Sequence, residues 1–215
     1  MSKNIAIIGP VGVGKTTLIN KLKKEFSNNK FFYFIPEEEK YVFLEKQYSD
    51  REKWSYLAQI DFLVTRTKTL FKFNKNSQTI NIYDRLFLDD YLYFKFNQEN
   101  NFLTSDEAEN YSFLFEKFLK IFISEKIKID LIIILNNTNE ELKSRRKKRN
   151  RFIEDELNEE FILIQDLYRS NWFKEFLEQN SKFFQSKIIW FNNYDIEKDY
   201  YEIKNNLYSH YHSLK

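Results

Sequence analysis

The stretch IAIIGPVGVGKTTL, residues Ile5–Leu18, decides the fold of this chain. Its first four residues are apolar and mostly β-branched, as in a buried strand of a parallel sheet. The segment Gly9–Thr16 then matches G-x-x-x-x-G-K-[ST] at every specified position, which is typical of a loop that binds phosphate. All 3 glycines of the chain, Gly9, Gly12 and Gly14, lie here, so glycine is used only where backbone must approach a ligand closely.

This loop predicts a binding site for the phosphates of a nucleoside triphosphate such as ATP. Successive backbone N–H groups point at phosphate oxygens, and the helix that begins near Lys15 adds the partial positive charge of its N-terminus. Lys15 can reach the β- and γ-phosphates, and the Thr16 hydroxyl can bind Mg²⁺. The predicted ATP-binding residues of the loop are Gly9, Pro10, Val11, Gly12, Val13, Gly14, Lys15, Thr16 and Thr17.

The composition excludes several classes of protein. The 34 basic and 32 acidic residues give a net charge of +2, so no global field favours nucleic acid. There is no cysteine, which rules out disulfides and fits a reducing compartment, and we expect a cytoplasmic protein. No apolar run approaches the ~20 residues of a membrane span. With no linker or repeat, residues 1–215 are predicted to form one domain.

Apolar runs and helical patterns alternate along the chain. The predicted strands are Ile5–Ile8, Phe31–Ile35, Thr79–Tyr83, Leu131–Leu135 and Ile188–Phe191. The predicted helices are Lys15–Phe26, Arg51–Phe73, Leu86–Phe96, Asp106–Glu125, Asn139–Arg149, Asp155–Glu178 and Ile196–Tyr211. This alternation predicts an α/β fold, a five-stranded parallel sheet with helices on both faces. Ligands of such sheets bind beyond the carboxyl ends of the strands.

Charged residues follow two of the predicted strands. Pro36 is followed by a run of glutamates from Glu37, which could supply a general base near the γ-phosphate or simply form the solvated start of a helix. Asp84 and Arg85 follow the third strand directly. Because both face the ligand crevice, we favour a magnesium ligand and a phosphate-neutralising arginine over a surface ion pair.

A basic segment, Ser144–Arg151, follows the fourth strand and its helix. Such a segment could bind RNA or act as a localisation signal. Its position inside the domain favours a lid, at about residues 145–156, that closes over the triphosphate and excludes water. On the long helix from Arg51, Gln59 and Arg66 lie two turns apart on roughly one face, where a glutamine could pair with a nucleobase.

With these residues assembled, the chain resembles the deoxynucleoside kinase family, and most closely the small deoxyadenosine kinases of mycoplasmas. The resemblance runs from Ile5 to about Trp172 and implies a P-loop kinase fold. It implies that Tyr48 and Glu154 bond the sugar 3′-hydroxyl and that Gln59 reads the base. It implies further that Arg66 pairs with Asp89 under the base. Tyr48, Gln59, Asp89 and Glu154 are expected to line one cavity that opens toward the glycine loop.

The resemblance also assigns residues to the phosphates and the metal. Asp84, with Thr16, corresponds to the Mg²⁺ ligands, and Arg85 lies near the 5′-oxygen and the catalytic carboxylate. The arginines of the lid that contact ATP correspond to Arg145, Arg149 and Arg151.

Three positions depart from the family pattern. The family writes its catalytic base as Glu-Pro, whereas here glutamates follow Pro36, so that either Glu37 or Glu38 is the base. Leu86 replaces a serine or threonine and removes a hydroxyl group. Ile153 replaces the first of two lid glutamates. None of the three removes the set of site residues, but the missing Glu-Pro is consistent with an altered or weak enzyme.

The resemblance implies a kinase of nucleotide salvage that transfers the γ-phosphoryl group of ATP to the 5′-hydroxyl of a deoxynucleoside. The nearest relatives favour a purine such as deoxyadenosine. Glu37, Arg85 and Lys15 are the expected catalytic residues, with Mg²⁺ as cofactor and a homodimer as the common assembly of the family. Three alternatives stay open: a nucleoside-monophosphate kinase of the thymidylate kinase type, a nucleotide-binding regulatory protein with little catalysis, and an RNA-binding module.

Overall fold

The structure, a computed structural model, describes residues 2–37, 41–74, 78–149 and 158–212. The strands are β1 (Lys3–Ile8), β2 (Phe32–Ile35), β3 (Ile80–Asp84), β4 (Leu131–Leu135) and β5 (Lys187–Phe191). The helices of the described residues are α1 (Lys15–Glu25), α2 (Leu44–Ser49), α3 (Arg51–Asn74), α4 (Phe87–Glu99), α5 (Ser105–Ser124), α6 (Asn139–Arg149), α7 (Asn158–Arg169), α8 (Asn171–Phe184) and α9 (Ile196–His212).

The strands form one parallel sheet in the order β2-β3-β1-β4-β5, which confirms the predicted fold class. Every strand lies within two residues of its predicted range. The chain leaves β1 for the edge strand β2, returns to β3 beside β1, and then continues to β4 on the other side of β1. The carboxyl ends of β1, β3 and β4 therefore meet where the strand order reverses, which is where ligands bind in such sheets.

Side chains of the central strands alternate between two cores, one on each face of the sheet. Ile5 and Ile7 of β1 are fully buried against α1 and α9. Ala6 and Ile8 are fully buried in the larger core, which also contains residues of α3, α4, α5, α7 and α8. The continuous apolar runs of β1 and β4 thus reflect burial on both faces, and helices cover the sheet on both sides.

The helices differ from the prediction at two places. The predicted helix Asp155–Glu178 is divided in the described residues into α7 and α8, and residues 155–157 lie outside them. Ser170 divides it, because its backbone is extended (φ −66°, ψ 151°) and its hydroxyl accepts a hydrogen bond from the Phe173 N–H at 3.1 Å. Serine in this conformation is an N-cap that starts a new helix. Helix α2 was not predicted, since its 6 residues are too few for a helical period.

The longest helices of the described residues are α3 and α5, with 24 and 20 residues. Each has charged residues along its outer face, and no helix of the described ranges is long and apolar enough to cross a bilayer. Leu57 and Val64 of α3 and Phe113 and Ile121 of α5 are nevertheless exposed apolar side chains.

Candidate active site

The loop between β1 and α1 has the backbone geometry of a phosphate cradle. Gly9 has φ +151°, and a Cβ atom there would lie 2.3 Å from the carbonyl oxygen of Leu135 in β4, so no other residue fits. Gly14 has φ +108° and precedes α1 without any side-chain cap. The first N–H groups of α1 therefore have no capping side chain, and an anion at this helix N-terminus would satisfy them.

Lys15 lies buried inside this loop. Its Nζ donates to the carbonyl oxygens of Gly9 at 2.7 Å and Pro10 at 3.0 Å. Burial and the nearby Arg85 guanidinium lower the pKa of Lys15 to about 7. The ammonium group is thus held at the loop by weak neutral acceptors, and a phosphate oxygen would be a stronger partner.

Asp84 and Thr16, the predicted Mg²⁺ ligands, are placed by two different elements next to this loop. Asp84 ends β3 and is paired in register with Ile7 of β1, while Thr16 is exposed in the first turn of α1. Burial raises the pKa of Asp84, although Lys15 and Arg85 oppose the rise. Its Oδ1 atom is buried and has no hydrogen-bond partner among the described residues. A half-buried carboxylate with a bare oxygen beside a phosphate loop fits a divalent cation.

Arg85 has a backbone conformation that few residues adopt. Its φ is +71°, in the left-handed region, and its N–H donates to the Ile7 carbonyl oxygen at 3.0 Å, which continues the β1–β3 pairing. A non-glycine residue is kept in this region only when its surroundings fix it, and such residues cluster at functional sites. The turn directs the Arg85 side chain back toward the phosphate loop, where Nη1 lies 3.4 Å from the Gly9 carbonyl oxygen.

Glu37, directly after Pro36 at the end of β2, lies between two arginines. One carboxylate oxygen accepts a hydrogen bond from Arg66 of α3, and the other accepts one from Arg85 Nε at 3.0 Å. Burial opposes ionisation of Glu37, but the charges of Arg85 and Arg66 outweigh it and lower its pKa to about 2. The structure therefore places Arg85 beside Glu37, as the family resemblance implies, and it adds a contact of Arg66 with Glu37 that was not expected. Glu38, the other candidate base, lies outside the described residues.

The predicted pairing of Arg66 with Asp89 is wrong. Arg66 Nη1 forms its ion pair with the buried Asp90, the next residue of α4. Asp89 is fully buried and instead pairs with Arg85, whose Nη1 lies 2.6 Å from Asp89 Oδ2. Consecutive residues of a helix point about 100° apart, so two neighbouring aspartates serve two different arginines.

These ion pairs form a continuous chain across the end of the sheet, which we call the ion-pair chain. Its members, in order of contact, are Asp90, Arg66, Glu37, Arg85 and Asp89. The cleft beside it is lined by Ile35, Pro36, Glu37, Tyr41, Thr65, Arg66, Thr69, Tyr83, Asp84, Arg85 and Leu86. The end of β2, the middle of α3 and the end of β3 therefore meet at the ion-pair chain and the cleft beside it.

The expected cavity around Tyr48, Gln59, Asp89 and Glu154 is found only in part. Gln59 is buried on α3 and its Oε1 has no partner among the described residues. Tyr48 is half-buried at the end of α2, with the Arg51 guanidinium 5.1 Å from its ring centre. Neither residue lines the cleft beside Glu37. Glu154 lies outside the described residues, as do Ile153 and Arg151.

The basic helix α6 contacts the phosphate loop through two arginines. Arg145 donates to the Val13 carbonyl oxygen at 2.7 Å, and residues 150–156 of the predicted lid lie outside the described residues. Sequence reasoning missed Arg146, which is buried, donates toward the Val11 carbonyl oxygen at 3.4 Å and has Phe161 5.2 Å away. Only its place beside Arg145 in a basic run pointed to it. The structure describes the backbone of Arg149 but not its side chain.

The fold and these contacts define a P-loop nucleotide-binding domain with a second, carboxylate-centred site beside the phosphate loop. The model of the deoxynucleoside kinase family matches residues 5–211, and the chain belongs to this family. It is 29% identical over 148 residues to a deoxyguanosine kinase of Lactobacillus acidophilus, covering 68% of this chain and 63% of that protein. The chain thus spans a little less than two thirds of that relative.

Other similar proteins agree with this family. A deoxyadenosine/deoxycytidine kinase of Bacillus subtilis is 28% identical over 176 residues, which cover 80% of this chain and 77% of that protein. The structure of deoxyadenosine kinase from M. mycoides with bound dCTP has a TM-score of 0.73 and 26% identity, over 97% of this chain and 100% of that one. The same kinase with bound dATP has a TM-score of 0.74 and 25% identity, over 96% and 99% of the two chains.

Proposed function

We propose that this protein transfers the γ-phosphoryl group of ATP to the 5′-hydroxyl of a deoxynucleoside. The observation that carries the proposal is Glu37, an ionised carboxylate held between Arg66 and Arg85 beside the phosphate loop. A hydroxyl acceptor needs a nearby base to orient it and take its proton. A nucleoside monophosphate acceptor would instead need a positively charged side chain that binds its own phosphate group.

Glu37 acts by exchanging partners. In the structure its two oxygens bond to the two arginines. The 5′-hydroxyl would donate to Glu37, which orients the oxygen toward the γ-phosphorus and receives its proton. As the new oxygen–phosphorus bond forms, the bond from the γ-phosphorus to the β,γ-bridging oxygen breaks and ADP leaves. Arg85 then lies beside both the carboxylate and the phosphate loop, where its charge stabilises the phosphoryl oxygens.

The donor phosphates bind the loop and α1. Lys15 would leave the carbonyl oxygens of Gly9 and Pro10 for the β- and γ-phosphates, and Arg145 would contribute from α6. Asp84 and the Thr16 hydroxyl are the residues that would hold Mg²⁺. A bound Mg²⁺ neutralises the triphosphate charge. No group of three or more acidic or histidine side chains in the described ranges could bind a metal ion alone, so phosphate oxygens would complete the ligand set.

We place the nucleobase of the acceptor nucleoside at the Asp90 end of the ion-pair chain. Two buried polar atoms at that end, Arg66 Nε and Asp90 Oδ2, have no partner among the described residues, and neither has Oε1 of Gln59, two turns before Arg66 on α3. Leaving such atoms unpaired costs about 1–3 kcal/mol each, and a nucleobase edge with donors and acceptors would remove that cost. Asp90 can only accept, which suits a base with an exocyclic amino group. Adenine, guanine and cytosine all carry such a group, so the choice of deoxyadenosine rests on the likeness to deoxyadenosine kinase from M. mycoides over 97% of this chain.

The sugar and the lid are assigned by the family resemblance. Tyr48 and Glu154 would bond the 3′-hydroxyl, and Arg149 and Arg151 would join Arg145 over the triphosphate. The exposed apolar side chains on α3 and α5 fit the expected homodimer, because they would be buried when two copies pair through these helices. Size-exclusion chromatography with light scattering would measure the mass directly, and a monomer at micromolar concentration would contradict the dimer.

The function is tested with a panel of acceptors. The purified protein is incubated with Mg²⁺ and γ-labelled ATP together with deoxyadenosine, deoxyguanosine, deoxycytidine, thymidine, dAMP or dTMP. We expect labelled 5′-monophosphate, most rapidly from deoxyadenosine. Phosphorylation of dAMP or dTMP but no nucleoside would instead show a nucleoside-monophosphate kinase. Binding of ATP and nucleoside without any labelled product would show a regulatory protein.

A further inference from the structure

Asp89 is a fully buried carboxylate with a charged partner on one side and a neutral partner on the other. Its Oδ2 bonds to Arg85 Nη1 at 2.6 Å, and its Oδ1 accepts a hydrogen bond from the Tyr168 hydroxyl. A buried carboxylate is tolerated only when its oxygens are bonded. Tyr168 therefore satisfies the oxygen that Arg85 does not reach.

The Tyr168 hydroxyl is suited to this task. The residue is fully buried in α7, and its ring packs edge-on against Phe173 with ring centres 5.3 Å apart. Burial and the charge of Asp89 raise the pKa of Tyr168 well above its usual value, so the group stays a protonated donor. Phe173 and the helix fix the ring, and the ring fixes the position of the hydroxyl.

Arg85 depends on Asp89 for its orientation during the reaction. Its side chain donates hydrogen bonds to three partners, Glu37, Asp89 and the Gly9 carbonyl oxygen. Its guanidinium also lies 5.7 Å from the ring centre of Tyr93. Glu37 is the group that must turn to the acceptor hydroxyl, and the Gly9 contact is long at 3.4 Å. The pair with Asp89 is then the short hydrogen bond that still fixes the direction of the guanidinium, because the Tyr93 ring packs near the group without fixing the direction of its N–H bonds.

Helix α7, which contains Tyr168, is also connected to the phosphate loop through Phe161 near its N-terminus. Phe161 lies 5.2 Å from the Arg146 guanidinium, and Arg146 donates toward the Val11 carbonyl oxygen of the loop. Phe161 and Tyr168 are seven residues apart, which places them two turns apart on one face of α7. Helix α7 thus contacts both Arg146 of α6, which donates toward the phosphate loop, and the aspartate that pairs with Arg85.

We propose that Tyr168 is a positioning residue for phosphoryl transfer, whose hydroxyl fixes Asp89 and through it the guanidinium of Arg85. The inference rests on the proposed function, since it concerns the orientation of Arg85 toward the transferred phosphoryl group. Tyr168 touches neither substrate in this scheme. Its removal should therefore change the rate of the chemical step and not the affinity for either substrate.

The test replaces Tyr168 by phenylalanine, which removes the hydroxyl and keeps the ring. The matched control is Tyr200→Phe, because Tyr200 is a buried tyrosine of α9 on the other face of the sheet and its hydroxyl has no partner among the described residues. We expect Tyr168→Phe to lower kcat about tenfold, a loss within what misplacement of a reacting group by a distant mutation produces. The dissociation constants for ATP and deoxyadenosine, measured by titration calorimetry, should stay within about twofold of the wild type. Tyr200→Phe should leave kcat unchanged.

A double-mutant cycle separates positioning from a general loss of stability. Asp89→Asn keeps the size of the side chain, and Tyr168→Phe/Asp89→Asn combines both changes. If Tyr168 acts through Asp89, the kcat of the double variant should be close to that of Asp89→Asn alone, because residues in one network are not additive. Kinetic effects that multiply would overturn the inference. So would a Tyr168→Phe variant with wild-type kcat, or one whose only change is a lower melting temperature.

Failure of the proposed function has a different signature. If the wild type forms no nucleoside monophosphate from any deoxynucleoside, the proposed function fails, and with it the positioning role. If the wild type is active and Tyr168→Phe matches it, only the inference about Tyr168 fails.

Discussion

The two halves of the site are built in different ways. The phosphate half is made by the backbone of one continuous segment, Gly9–Thr16, at the start of α1. The acceptor half is made by charged side chains that follow β2 or lie on α3, in the β3–α4 turn and on α4, joined in the ion-pair chain. Backbone geometry follows from a local motif. The ion-pair chain depends on how separate helices and strands rotate and pack. Two neighbouring residues of α4, Asp89 and Asp90, therefore pair with two different arginines.

The largest expected effect tests the phosphate half. Lys15→Ala should lower kcat about 10³-fold, since it removes a charge that stabilises the transferred phosphoryl group. The control is Lys23→Ala, an exposed lysine of the same helix, which should leave kcat unchanged. Steady-state kinetics with labelled ATP measure both. A Lys15→Ala variant with more than a tenth of the wild-type rate would show that the loop does not hold the reacting phosphate.

The next effect tests the acceptor half. Glu37→Gln keeps the shape of the side chain and removes the base, so kcat should fall about 10²-fold. Glu38→Gln is the matched control and should keep most of the activity. The same kinetic assay with deoxyadenosine measures both variants. If Glu38→Gln is the inactive one, the base is Glu38, and if both are fully active the base lies elsewhere.

A smaller effect distinguishes the two ends of the ion-pair chain. Asp90→Asn releases Arg66 and should raise KM for the nucleoside about tenfold with a smaller change in kcat. Asp89→Asn releases Arg85 and should lower kcat about tenfold with KM little changed. Melting temperatures of both variants show how far loss of a buried ion pair destabilises the fold. If the two variants have the same kinetic pattern, the ends of the chain do not have separate roles.

The smallest expected effect is the uptake of a proton when the triphosphate binds to the phosphate half of the site. Because the pKa of Lys15 is about 7 in the free protein, the amine loses its proton as pH rises through 7. Triphosphate raises this pKa, since opposite charge favours the charged form. Binding at pH 8 should therefore take up close to one proton, and binding at pH 6 should take up about a tenth of one. Titration calorimetry in buffers of different ionisation enthalpy measures the uptake.

The control for this linkage is Lys15→Ala, whose proton uptake at pH 8 should be lower by nearly one than that of the wild type. Equal uptake by the two proteins would show that Lys15 is not the group that titrates.

Much of the fold could be predicted from the sequence because its signals are local. Buried parallel strands are continuous apolar runs, and the phosphate loop is one motif, so the strands were placed within two residues. The division between α7 and α8 was missed, since a serine within an amphipathic pattern reads as a surface residue until its backbone is seen to cap a helix. Helix α2 was too short to show a period.

The site could be predicted only where residue type limits the choice. Glu37 and Arg85 follow strands directly, so their convergence with the phosphate loop follows from the parallel sheet. The partner of Arg66 could not be derived, since Asp89 and Asp90 have the same chemistry and differ only in direction on α4. Tyr168 gave no signal at all, because its role depends on the packing of α7 against α4, far away in sequence.

The most direct test of this account is the structure of the complex with deoxyadenosine, Mg²⁺ and a non-hydrolysable ATP analogue. The 5′-oxygen should lie about 3 Å from the Glu37 carboxylate and point at the γ-phosphate, as a general base requires. The nucleobase should bond to Gln59 and Asp90, while Arg85 stays paired with Asp89. A nucleoside bound elsewhere, with Glu37 still bonded to both Arg66 and Arg85, would contradict it.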